Sequence, residues 1–268
     1  MQDITPSLLK AIQDDFKIRF EASENIKLLY NKLKNKSATY REAHEFAAEV
    51  GECLAGAFGT LSADMLPDGR MYYNIAEQIL NATMRNNHNI ISEVTEQVQK
   101  ALNERANIGI KAIKPELNQS RIDSIINKIA NSESYDDIAW LLEAPIVNFS
   151  LCIVDDAIRE NAEFQYNAGL NPRIVRTSTG KCCEWCNRLT GVYDYEKVRN
   201  KGNDVFRRHN NCRCIVEYDP HDGKLQNVHT KQWRDMDEAE ARKQRIESAK
   251  AFEKQQKAAA KMRRQSLR

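Results

Sequence analysis

Apolar positions in the first two thirds of the chain recur at helical spacing. Leu8, Leu9, Ile12, Phe16 and Phe20, and then Ile26, Leu29 and Leu33, fall three or four residues apart, so each set shares a helix face. Thr39-Tyr-Arg-Glu42 has the form of a capping box and opens a further helix that runs toward Gly59. Pro67-Asp68-Gly69 is a turn, with proline presetting φ and glycine free to take a positive one. Ile75, Ile79, Val94, Val98 and Leu102 then mark the core positions of one long helix. Pro115 and Pro145 are breaks, because proline has no N–H to give to a helix interior. Ile122, Ile125, Ile126 and Ile129 form another apolar face, and residues 138–142 a short one. The last helix of this part covers roughly 146–168 and ends at Gly169, a residue type that caps helices.

Beyond Gly169 the period changes. Arg173-Ile-Val-Arg-Thr177, Gly191-Val-Tyr-Asp-Tyr195 and Cys214-Ile-Val-Glu-Tyr218 are rich in β-branched and aromatic residues and read as short strands. Residues 180–220 hold too few large apolar side chains for a core of their own, so the segment needs a clip to keep its shape. Residues 235–264 are mostly Ala, Glu, Lys, Gln and Arg, which favour helix, but only Ile246, Phe252 and Met262 are available to line an apolar face.

The clip is visible in the cysteines. Five of seven, with one of five histidines, sit together: Cys182-Cys183-Glu184-Trp185-Cys186, twenty-two residues, then His209-Asn210-Asn211-Cys212-Arg213-Cys214. Two residues between Cys183 and Cys186 let one tight turn aim both sulfurs at one ion, and the gap from His209 to Cys212 does the same from the other side. Two such pincers are what a tetrahedral zinc site requires. Two plainer readings compete. Disulfides need an oxidising compartment, whereas residues 1–10 are polar and unlike a signal peptide, and seven thiols are an odd number. Free buried cysteines scatter along apolar faces, as Cys53 and Cys152 do and these five do not.

Six donors compete for about four places in a closed site. Cys183, Cys186, His209 and Cys212 are the most regular set. Cys214 could replace His209, since alternate residues of a strand project to one side, and Cys182 points elsewhere as the neighbour of Cys183. Four protein ligands leave no open position for water, so the Zn2+ is structural. The expected architecture is mainly α: a helical domain at 1–169, a small zinc-stabilised, β-rich α+β module at 170–222, and a basic, helical tail at 223–268.

Several function classes lose support. His44 and His88 lie alone on helices and read as core or surface residues. The glycines of residues 51–59 lack the spacing and lysine of a phosphate loop and instead permit close helix packing. With 29% charged residues and no 18-residue apolar run, a membrane span is not expected, nor is a small-molecule substrate. Charge is uneven. Residues 241–268 carry ten Lys or Arg against two Glu, a surplus of eight, so with a net charge of +2 the preceding 240 residues sum to minus six. The tail reads either as a solvated helix or as an arm for an acidic partner. Without interleaved aromatics, its contact with DNA would be nonspecific and to the backbone.

Asn161-Ala-Glu-Phe-Gln-Tyr-Asn-Ala-Gly-Leu170, Arg176, Gly180-Lys-Cys-Cys-Glu-Trp-Cys186, Leu189-Thr-Gly191 and Phe206-Arg-Arg-His-Asn-Asn-Cys-Arg-Cys214 together resemble the C-terminal domain of tailed-phage minor head proteins, the Mu F-like head-morphogenesis or minor capsid family. Gln226-Asn-Val-His-Thr-Lys-Gln-Trp-Arg234 is similar to the segment C-terminal to the cysteines in that family. The resemblance covers roughly residues 146–234. It implies a virion component, made in the host cytoplasm, that associates with the portal protein and the major capsid protein at the head interior and travels with the DNA on ejection. Some relatives add a toxin or enzyme domain, for which the thirty or so residues after Trp233 leave no room. Two other classes stand beside this one. A His-Me finger nuclease would use His209 as general base beside a catalytic ion rather than as a ligand. A DNA-binding zinc finger would need a helix between the pincers, where residues 192–205 read as strand and loop.

Overall fold

Ser23 splits the first apolar stretch in two. Its backbone is extended (φ −70°, ψ 118°) and its hydroxyl accepts from the amide of Ile26, so α1 (Thr5–Ala22) stops and α2 (Glu24–Lys34) starts. The computed structural model describes residues 3–179, 183–200, 204–209, 211–221, 224–226, 233–235 and Glu247. The predicted capping box forms at the head of α3 (Tyr40–Phe58), with Thr39 and Glu42 each satisfying the other's backbone N–H. After a turn with Asp68 and Gly69 both at positive φ, α4 (Tyr73–Arg105) is the long helix the periodicity predicts. Then come α5 (Gln119–Ala130), the one-turn α6 (Tyr135–Ile138) and α7 (Ala144–Asn167), whose first turn holds Pro145 and whose end is followed by Gly169 at φ 86°.

Helix α3 lies at the centre and packs on α1, α4 and above all α7. Gly51 sets that last contact: an added Cβ would lie 2.9 Å from the Cα of Val147 and 2.8 Å from the Oγ of Ser150. Small residues at 51–59 therefore do serve close helix packing. The stretch from the start of α6 to the end of α7 corrects the expectation that the chain has no long apolar run. By composition the stretch Tyr135–Asn167 is apolar enough to cross a membrane, with an 18-residue window of mean hydropathy 1.6. The physical reason is burial inside the protein: 61% of that window is covered, because α7 touches α3 and α4 on one side and the sheet on another.

That sheet comprises β1 (Arg173–Thr177), β2 (Gly191–Asp194) and β3 (Ile215–Asp219), antiparallel in the order β2-β1-β3. Ile174 stands opposite Tyr193 and Tyr218, and Arg176 opposite Gly191 and Val216. Two one-turn helices interrupt the strands, α8 (Glu184–Arg188) and α9 (Tyr195–Val198). The second replaces the expected end of a strand, for Tyr195 turns inward and is 2% exposed, its hydroxyl bonded to Glu163 of α7 at 2.9 Å. Cys214 lies just before β3 rather than in it.

The sheet does not need a core of its own. Ile174, Tyr195, Val198, Val205, Val216 and Tyr218 belong to the same apolar cluster as the helices. A buried polar chain also joins them. Tyr40 donates to Gln99 (2.8 Å), Gln99 and Gln165 both donate to Asn103 (2.7 and 3.0 Å), and Tyr218 of β3 donates to Gln165. The segment expected to be a helical tail opens differently: β4 (Lys224–Gln226) and β5 (Trp233–Asp235) form an antiparallel pair. The helix-forming composition begins only at Asp235, so propensity applied to the whole of 223–268 overreached. Glu247 is helical, and the other residues of 236–268 lie outside the described residues.

Candidate metal centre

Each pincer is built by one local turn. Cys183 caps α8, its sulfur accepting from the amide of Cys186, and one helical turn brings the two side chains together. On the other arm the amide of Cys212 donates to the carbonyl of His209 at 3.1 Å. Asn211 closes that turn at φ 61°, a conformation asparagine tolerates better than most residues. Cys183, Cys186 and His209 converge within 4.8 Å of one another, and so do Cys186, Cys212 and Cys214, with Cys186 common to both groups. Cys182 lies outside the described residues. The six described cysteines are free thiols, and Cys53 and Cys152 stand apart on helices.

Two of the spacings between these atoms match the edges of a tetrahedral site. Zinc bonds of about 2.3 Å to sulfur and 2.0–2.1 Å to nitrogen imply edges of roughly 3.8 Å between sulfurs and 3.5 Å between sulfur and nitrogen. The Sγ atoms of Cys186 and Cys212 are 3.8 Å apart, and Nε2 of His209 is 3.4 Å from Sγ of Cys183. Nε2 lies closer to Cys186, at 2.9 Å. Thiolate sulfurs with one imidazole make a donor set suited to zinc. These residues could hold the ion, which would supply a fixed point joining the two arms.

Two buried arginines surround the donors, and sequence reasoning gave neither a role. Arg176 is 1% exposed, and its guanidinium donates to the carbonyls of Asp204 (3.4 Å), Val205 (2.5 Å) and Arg207 (2.9 Å) and to Sγ of Cys212 (3.7 Å). It also lies 5.6 Å from the ring centre of Trp185, against which His209 packs edge-on at 5.7 Å. Arg208 donates to both carboxylate oxygens of Asp155 on α7, one at 2.8 Å, and to the carbonyl of Cys214 at 2.8 Å. Its third contact is Nδ1 of His44, at 3.4 Å. Arginine can only donate, so Nδ1 accepts, while Nε2 of His44 lies 2.9 Å from the carbonyl and 3.2 Å from the amide of Val216. His44 is thus a satisfied core histidine that ties α3 to β3. Asn148 of α7 adds a bond to the carbonyl of His209 at 3.1 Å.

Charge follows from this setting. The hydrogen bond from Cys214 holds the thiol of Cys212 down to about 4, with Arg208 and Arg176 adding to the effect. Burial pushes Cys186 up to about 11. The amide of Cys186 lowers Cys183, while hydrogen bonding to Cys212 raises Cys214. Burial first, and the Arg208 charge next, depress His44 to about 3. A thiolate is therefore favoured at the point where two guanidiniums converge, which is the protonation a metal ligand needs.

Signals for the arginines did exist. Ile174 and Arg176 alternate onto the inward face of β1, and Asp155 falls among the apolar positions of α7. A charge on a buried face demands a partner. Among the other histidines, His221 bonds through Nδ1 to the carbonyl of Asn171 at 3.2 Å, and His229 lies outside the described residues. Two cavities of about 160 and 20 Å³ are lined by residues of the helical part, away from the cysteines. No family model, curated protein or solved structure matches this chain.

Proposed function

We propose that this protein is a structural minor capsid, or head-morphogenesis, protein of a tailed phage, bound to the portal protein and the inner face of the major capsid shell. The observation that carries this reading is the ordered motif between residues 161 and 214. Its Cys183-x-x-Cys186 and His209-x-x-Cys212-x-Cys214, with flanking Arg and Gly, resemble that family in order and in spacing. The geometry favours a role without turnover. Two groups of three donors, Cys183-Cys186-His209 and Cys186-Cys212-Cys214, overlap at Cys186, and a zinc ion bound by four of these five residues would have its shell filled by protein, with no position left for a reacting water. His209, the residue a nuclease would use as its base, has Nε2 turned onto the sulfurs of Cys186 and Cys183. The surplus of eight positive charges in residues 241–268 suits a salt-sensitive contact with packaged DNA or an acidic portal surface.

Particles gently disrupted and separated by sedimentation test the reading. The expected result is this chain in the head fraction, in few copies and together with the portal. Its absence from the particle would remove the head role. In parallel, duplex DNA with Mg²⁺ or Mn²⁺ should stay intact, and nicking that disappears in His209→Ala would put the nuclease in its place.

A further inference from the structure

The cysteine–histidine cluster holds one more donor than a tetrahedral ion can use, and the surplus is arranged in a particular way. The two donor groups are not separate sites, since both contain Cys186. Cys186 is 1% exposed, and it faces Nε2 of His209 at 2.9 Å and Sγ of Cys212 at 3.8 Å. Cys214, equally buried at 1%, completes the second group from the inner side, whereas Cys183 and His209 approach from the more open side.

We infer that Cys214 is a reserve ligand, so that a single metal ion is held either by Cys183, Cys186, Cys212 and His209 or by all four thiolates, Cys214 taking the place of His209. The inference rests on the reading of these donors as one metal site. The exchange breaks the bond from the metal to Nε2 of His209 and forms one to Sγ of Cys214. The thiol proton of Cys214 passes to the freed imidazole nitrogen, so atoms and charge balance.

Three features of the site suit the second state. A four-thiolate shell carries one more negative charge than a shell with three, and buried charge is costly unless compensated. A guanidinium compensates it here: Arg176 reaches Sγ of Cys212 at 3.7 Å, while Arg208, itself paired with Asp155, holds the carbonyl of Cys214 at 2.8 Å. Second, the carbonyls of Asp204, Val205 and Arg207 are fixed by Arg176, and that of His209 by Asn148. The backbone of this arm thus stays in place when the imidazole of His209 turns away. Third, softer metals prefer sulfur to imidazole, so the identity of the ion would select the state. The consequence is a metal that stays bound while His209 is released.

Cobalt and cadmium titrations of the full chain separate the possibilities. In the parent, Co²⁺ should give the tetrahedral spectrum of three sulfurs and one nitrogen. His209→Ala should still bind one Co²⁺ with at most about tenfold weaker affinity and gain the charge-transfer absorption of an added thiolate, whereas Cys214→Ser keeps the parent's spectrum. Only the double variant should lose binding by roughly a hundredfold or more, the loss expected when a fourth ligand has no substitute. Because His209→Ala could fail to fold, the parent alone provides a second measurement. Nitrogen-15 shifts should show Nε2 of His209 metal-bound with Zn²⁺ and released with Cd²⁺. Binding lost as fully in His209→Ala as in the double variant, together with His209 bound to both metals, would overturn the inference. A parent that takes up neither metal would instead remove the metal reading on which it rests.

Discussion

Single residues decide how the sheet is held, and the decisive ones are polar. Arg208 and Asp155 are 1% and 2% exposed, and a buried pair of this kind adds little net stability while costing about 3–5 kcal/mol when one partner is removed. Its value is positional. It attaches the arm that carries His209 and Cys212 to helix α7, and it leaves His44 beside a cation in a dry setting. His44 is held near 3 rather than at its ordinary value of 6.5, so the unfolded chain binds a proton that the folded protein refuses. Stability contributed by neutral His44 is therefore complete above pH 6.5 and is lost as pH falls from 6.5 toward 3. Denaturant titrations at a series of pH values between 6.5 and 5 should show the parent losing roughly 1 kcal/mol per pH unit more than His44→Gln, close to the slope for one proton. Parallel slopes for the two proteins would mean that His44 is protonated in the fold after all.

Elements were legible where one signal decided them. The capping box at Thr39, the isoleucines of α5 and the β-branched run of β1 each satisfy a local rule, and each element forms where that rule puts it. Elements fixed by distant partners were not. Helix α9 exists because Tyr195 reaches Glu163 of α7, and the sheet takes its core from helices that lie up to 176 residues away, as the Arg41–Glu217 bond shows. No window of sequence contains both halves of such contacts. The same holds at the site: the donor residues were readable from their spacing, but the arginines around them become meaningful only beside α7. The crossing of α3 and α7 has both characters, for small residues were evident while the one that matters, Gly51, was not. Gly51→Ala should gain up to about 1 kcal/mol of helix propensity and still destabilise by about 1–3 kcal/mol, since the backbone of Val147 cannot yield as a side chain would. Gly109→Ala is the control, as its added Cβ meets nothing within 4 Å. Thermal melts that rank the two variants equally would show that α3 and α7 can separate without cost.

At the scale of the whole molecule two cohesive units meet along the sheet. One is the large apolar core, running from Ile12 of α1 to Tyr218 of β3; the other is the small cluster of Cys186, Cys212 and Cys214 with Trp185 packed against it. The first is built from ordinary side-chain burial and the second from donors that, as free thiols, bury little area. A structural zinc ion is worth about 10–16 kcal/mol in small peptide sites, comparable with the ~5–15 kcal/mol net stability of a whole domain. Losing it should therefore dismantle the second unit and spare the first. β1 and β3 lie on the boundary and keep their apolar contacts, and β3 keeps the bond from Tyr218 to Gln165 of α7. Trypsin with and without a strong chelator makes this measurable, because Arg188, Lys197, Arg199, Arg207 and Arg213 all lie between the pincers or beside them. After chelation, early cuts should concentrate at these five residues while α1 to α7 remain one resistant fragment, and Cys212→Ser should reproduce the pattern without chelator. Cuts spread evenly through the helices would mean that the metal stabilises the whole protein. A digest indifferent to chelator would mean that the carbonyls gathered by Arg176 hold the two arms without any ion.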